Sequence, residues 1–196
     1  MTDISQRGGF GSRNTQVVFN NAVVDIVRSP SIFMDLVATL ASQPSQSDLS
    51  DDFIEYNIEN KIEHNFVIKH RQKIESYYAY VSMIDNAYQT LCEAIPSARE
   101  TALSNINSCY KNCVGDLLLE NKSLLLKKTR EEREAIRLEI IQEHADSIID
   151  CVINHVQNTC AKSLSATQCS IEEIQNHSEF IVFHAFVECK VLEKPL

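Results

Sequence analysis

Of the four glycines in this chain, three sit at positions 8, 9 and 11, and Gly115 stands alone in everything that follows. The four prolines, Pro30, Pro44, Pro96 and Pro195, are as sparse. These two residue types interrupt helices most strongly, so long stretches contain nothing that stops helix propagation. The chain is expected to be mainly α, a bundle of about four to six helices, with a short N-terminal β-hairpin and a flexible tail ahead of it.

A length of 196 residues with 44% hydrophobic and 23% charged side chains suits one ordinary core. Acidic side chains outnumber basic ones 27 to 18, and the formal charge of −9 opposes attraction to nucleic acid or an anionic membrane. No apolar run approaches the roughly 18 residues of a membrane span, and "MTDISQRGGFGSRN" lacks the basic-then-apolar plan of a signal peptide. The expected location is cytoplasmic, with no membrane partner. The seven cysteines are scattered, odd in number and without a Cys-x2-Cys pair. They read as free, partly buried thiols rather than a disulfide framework or a zinc ribbon. Cys109 and Cys113, four apart, stack on one helix face.

Residues 1–14 read as the tail and 15–50 as the hairpin plus a short helix, with the hairpin turning at Asn20 and Asn21. Ser29 as N-cap and Pro30 at the first helical position predict a helix over 30–42, followed by the polar linker "PSQSDLSDD". Residues 51–196 form the main helical domain. Within 67–95, Ile74, Tyr77, Tyr78, Val81, Ile84, Tyr88 and Leu91 recur at spacings of three and four, the mark of one amphipathic helix ending at Pro96. Ser97 with Glu100 suggests a capping box before a helix carrying Leu103, Ile106, Tyr110 and Leu117, with Gly115 as its break. Thr129 with Glu132 opens a long helix to Ser163, and Ser170 with Glu173 opens the last one. The mixed run "KKTREEREAIRLE" reads as a solvated face, and Lys127, Lys128, Arg130, Arg133 and Arg137 are the one basic cluster where DNA contact is expected if anywhere.

Extended as a helix through Leu192, the last segment has two polar stripes. Glu173, His177, His184 and Glu188 share one, and Glu179 and Lys190 the other. Phe180, Ile181, Val182, Phe183, Phe186 and Val187 fill both sectors between, which predicts a helix packed on two sides. The His/Glu stripe, facing His144, Cys151 and His155 of the preceding helix, is a candidate metal face, although neither Glu-x-x-His nor His-Glu-x-x-His occurs. No Gly-rich phosphate loop or Gly-x-Ser-x-Gly elbow is present, so no catalytic residue and no cofactor is assigned.

Four segments, "YNIENKIEHN" (56–65), "IDNAY" (84–88), "ADSIID" (145–150) and "AFVECKVLEKP" (185–195), resemble the helical C-terminal domains of bacterial ABC three-component conflict systems. These are Lamassu-like anti-phage and anti-plasmid systems built around an SMC or Rad50-like ATPase. The resemblance covers about residues 50–196, and its most specific part is the terminal segment. It implies a docking element without catalysis of its own, whose partners are the SMC/Rad50-like ABC ATPase and a separate effector subunit such as a nuclease. It carries an interaction role onto Lys61, Glu63, His64 and Asn65, and onto Phe186, Cys189, Lys190, Leu192, Glu193 and Lys194. Asn65 is expected to cap a following helix. Only about 50 residues precede the domain, too few for a typical nuclease, so a stand-alone small subunit is expected. The alternatives are a metal-binding helical enzyme using the His/Glu face and a self-assembling scaffold or adaptor.

Overall fold

A computed structural model describes residues 30–43, 55–77 and 80–195. The expected tail, hairpin and polar linker lie outside these residues. The protein is mainly helical, and the described residues run through α1 (Ile32–Ser42), α2 (Glu55–His64), α3 (Arg71–Tyr77), α4 (Val81–Ala94), α5 (Ala98–Glu120), α6 (Lys122–Leu125), α7 (Arg130–Glu143), α8 (Ala145–Ala161) and α9 (Ile171–Val187).

The last helix is the axis of the bundle. Six consecutive residues of α9, Ile181 to Phe186, are buried, which a helix achieves only when covered on every side at that level. The cover comes from the chain itself: α1, α3, α4, α5 and α8 all pack on α9. The two-sided apolar pattern is thus satisfied internally. On α1, Phe33, Met34, Leu36, Val37 and Leu40 are buried and meet α4, α5, α8 and α9, so this helix shares one core with the helices after residue 55. Its N-cap is Ser31, whose Oγ accepts the Met34 N–H at 3.4 Å, with Pro30 ahead of the helix and not inside it.

Both capping boxes ahead of the later helices form. Thr129 Oγ1 accepts the Glu132 N–H and Glu132 accepts the Thr129 N–H, and Ser170 and Glu173 do the same for α9. The pair Ser97 and Glu100 does not, because Ser97 has φ −94° and ψ 8° instead of the extended backbone that aims a cap oxygen at the third N–H. Gly115 is no break. Helix α5 passes through it without interruption, anchored on either side by buried Val114 and the packed Leu117 and Leu118. One glycine costs a helix about 1 kcal/mol relative to alanine, which such packing offsets.

Two expected long helices are each divided. The 67–95 stripe keeps its inward face, with Ile74, Tyr77, Ile84, Tyr88 and Leu91 buried, but its first helical residue is Arg71 and the segment is split into α3 and α4. The 129–163 helix breaks at His144, whose φ of −110° and ψ of 13° redirect the axis between α7 and α8. That break brings Asp146, in the first turn of α8, under the entry to α3. Its carboxylate accepts the N–H groups of Ile68 and Lys69 at 3.0 Å and of His70 at 3.2 Å. The approach to α3 is held by a side chain from another helix, which no local pattern announces.

Helices α2 and α9 end in the same way. At α2, the Phe66 N–H bonds to Glu63 O and the Val67 N–H to Ile62 O; at α9, the Cys189 N–H bonds to Phe186 O and the Lys190 N–H to Ala185 O. Each is a Schellman cap, with its left-handed position held by a residue other than glycine, Phe66 at φ 53° and Cys189 at φ 55°. Helix α9 therefore stops at Val187 and not near Leu192, and the chain folds back over the bundle with Leu192 at φ 60°.

Candidate functional site

The fold-back after α9 and the end of α2 meet, and the meeting point is built from the two segments that the sequence singles out. Asn65 is fully buried, with a relative exposure of 0%. Its Nδ2 donates to Lys61 O and to Glu193 O, both at 2.8 Å, and its Oδ1 accepts the Glu193 N–H at 2.9 Å. The amide thus pairs with the Glu193 backbone as a neighbouring peptide would, while closing its own helix end. Asn65 finishes α2 and does not cap a following helix, because α3 begins six residues later, at Arg71, and both polar atoms of the Asn65 side chain are spent on Lys61 and Glu193.

Lys61, one turn earlier and only 3% exposed, donates its ammonium to the Phe186 carbonyl and lies 4.3 Å from the centre of the Phe186 ring. The carbonyl and ring face meet part of the cost of burying the charge. Burial lowers its pKa to about 8, against the opposing pull of Cys189 and Glu193. The Glu193 carboxylate accepts from Tyr110 Oη at 2.5 Å and from Arg137 at 2.9 Å. Burial raises its pKa, but these two hydrogen bonds and the Arg137 charge outweigh it and hold the group below the usual carboxylate range. Asn107 adds a bond of 2.7 Å to Lys190 O, and Gln142 one of 2.6 Å to His64 O.

The ten residues marked by the resemblance therefore divide. Lys61, Asn65, Phe186 and Leu192 point into the fold, and Glu193 is tied to Tyr110 and Arg137. Lys190 contributes its carbonyl, and His64 is half-buried. Glu63, which pairs with Arg71, and Cys189 and Lys194 face outward. The other two quoted segments join the same body. Asp146 and Asp150 hold residues 68–70, with Asp150 also 3.0 Å from His70 Nε2. Asp85 and Tyr88 border buried His184, which lies 2.7 Å from Tyr77 Oη. Burial and the Arg99 guanidinium lower the His184 pKa, against the pull of Asp85 and Glu188.

The His/Glu stripe does not converge. His177 Nδ1 lies 2.8 Å from Glu173 O within its own helix, His184 is committed to Tyr77, and Glu188 lies 3.4 Å from Arg99. His144 sits at the α7–α8 break, away from the role assigned to it. The expectation of seven scattered thiols is corrected, because Cys113 and Cys151 bring their sulfurs together between α5 and α8. The basic cluster also loses members, as Lys128 pairs with Glu132 and Arg137 with Glu193.

Sequence reasoning missed what the α2 end displays. Phe66 and Ile68 are 64% and 79% exposed and line a shallow groove with Glu139, Gln142 and Glu143. The turn that carries them is held from below by Asn65, Asp146 and Gln142. Their only sequence signal is adjacency to "KIEHN". Among the described residues no helix is long and apolar enough to cross a membrane. No protein-family model, curated protein or solved structure matches the chain.

Proposed function

We propose that the protein is a non-catalytic docking subunit, and that the α2–α3 turn is the surface it offers to its partner. One observation carries this reading. Phe66 occupies a left-handed backbone conformation that a bulky residue pays about 1–2 kcal/mol to adopt, yet the residue stays 64% exposed. A strained, rigidly held, exposed aromatic beside exposed Ile68 has the character of an interface anchor. Glu139 and Glu143 at the groove call for a partner with an apolar socket and a basic rim.

The partner implied by the four resembling segments is an SMC/Rad50-like ABC ATPase of an anti-phage or anti-plasmid system, with a separate effector under its control. In this reading Lys61 and Asn65 are positioning residues beneath the docking turn. The test is co-purification with an SMC-like ATPase taken from the same gene neighbourhood. Phe66→Gly is expected to keep the fold, with an unchanged or higher Tm, and to lose the ATPase. Retained capture by that variant, or a gene neighbourhood without such an ATPase, overturns the reading.

Self-association is the second reading. It is favoured by Leu119, Leu124 and Leu126, exposed together around α6 at 66%, 52% and 65%. Light scattering on the isolated protein separates the two, since a dimer broken by Leu124→Glu supports the scaffold.

A further inference from the structure

Three sulfurs, not two, meet between α5 and α8. Cys109 and Cys113 stand one turn apart on α5, Cys151 faces them from α8, and the three sulfur atoms lie within 4.8 Å of one another. A disulfide engages two of them and gives the third no role. The Cα atoms of Cys113 and Cys151 are 7.2 Å apart, beyond the roughly 4.4–6.8 Å that disulfides span. Thiolates sharing one zinc ion, with bonds of about 2.3 Å in tetrahedral array, stand about 3.8 Å apart. The three sulfurs, all within 4.8 Å of one another, already stand near that spacing.

A fourth donor lines the same groove, outside the 4.8 Å set formed by the three sulfurs, and reaches them by turning its side chain. His155 follows Cys151 by one turn, so the set reads Cys-x3-Cys on one helix and Cys-x3-His on the other. His155 Nε2 lies 2.7 Å from Asn105 Oδ1, an oxygen that can only accept. That contact places the proton on Nε2 and leaves the lone pair on Nδ1, the outer-shell arrangement that readies an imidazole for a metal. The groove is open, with Cys151 exposed, so an ion can enter from solvent.

We propose that Cys109, Cys113, Cys151 and His155 bind one Zn²⁺ ion that ties α5 to α8. Binding converts three thiols to thiolates and releases three protons, and the neutral imidazole completes the shell. The site requires all three thiols reduced, because a bond between Cys113 and Cys151 removes two ligands. It does not rest on the docking reading.

The test uses the full chain reduced with a phosphine and titrated with Co²⁺. Equimolar binding is expected, with thiolate-to-cobalt charge-transfer bands and the intense d–d bands of a tetrahedral ion, both erased by Zn²⁺. Cys109→Ser is expected to abolish the charge-transfer bands or shift them, and His155→Ala to weaken Zn²⁺ binding about 10–100-fold. Circular dichroism of the metal-free variants checks that each still folds. A reduced, folded protein without charge-transfer bands, or bands indifferent to Cys109→Ser, overturns the proposal. So does reduced protein that takes up no cobalt while the oxidised protein holds a Cys113–Cys151 bond that Cys109→Ser leaves intact, for then the pair is a disulfide alone.

Discussion

Helices α2 and α9 close with the same hydrogen-bonded cap, yet the two ends serve opposite purposes. After α9 the chain turns inward: Val191 and Leu192 are buried and Glu193 is bound by three side chains. After α2 it turns outward, leaving Phe66 and Ile68 in solvent while Val67 alone is buried. The difference lies in what each left-handed residue is followed by. Behind Cys189 a second left-handed residue, Leu192, carries the chain back onto the bundle, whereas behind Phe66 the N–H groups of Ile68, Lys69 and His70 are gathered by Asp146 and the chain is sent into α3. A single capping motif can therefore fold a segment away or hold one up, according to the next few residues.

The contact that joins the two ends is where this comparison breaks most readily. Asn65→Ala leaves the buried Glu193 N–H and two carbonyls without their partner, and is expected to cost about 3 kcal/mol in a denaturant titration. A loss near that of an ordinary exposed cap would mean that the two ends are held independently. Next in size is a pH effect. Lys61 has a folded pKa of about 8 against 10.5 unfolded, so between these values the unfolded chain binds the extra proton and stability rises with pH. The full burial penalty is present below pH 8. From pH 8 to 9 Lys61 alone is expected to contribute a gain of about 1 kcal/mol. Cys109, Cys160 and Cys169, whose pKa values burial raises, already pull the other way, so the gain is read as the difference between the protein and its Lys61→Met variant. Lys61→Met should make the slope over this range less positive by about that amount, and an unchanged slope would mean that Lys61 does not carry it.

The smallest effect sharpens the comparison itself. Phe66→Gly and Cys189→Gly each relieve a left-handed residue and are each expected to raise Tm by about 2 °C. The gain at Cys189 is expected to be the lower one, since its thiol helps to hold the Lys61 charge. Calorimetry that finds Phe66→Gly destabilising would show that its ring already packs within the chain.

The sequence announces elements governed by their own neighbours. The capping boxes at Thr129 and Ser170 involve residues three apart, and the apolar residues of α9 surround its axis, so both are legible without tertiary knowledge. It does not announce the breaks before Arg71 and at His144, because neither is marked by glycine or proline; one is imposed by Asp146 reaching across from α8. Lys61 and Asn65 are noticeable in sequence, but a lone lysine in a helix reads as surface until Phe186 O is seen above it. The cysteine cluster is half legible: Cys109 and Cys113 share a face by spacing alone, while Cys151 joins them only through the register of two helices.

The pairing of Asn65 with Glu193 spans 128 residues of chain. On the ribosome, α2 emerges long before the peptide that its end must meet, and until residue 193 is free of the exit tunnel the Lys61 ammonium has no Phe186 carbonyl to sit against. Contacts of such separation form slowly and late in folding. An unfinished chain thus lacks the Glu193 part of the support beneath Phe66, which is completed only after synthesis has passed the segment that supplies it.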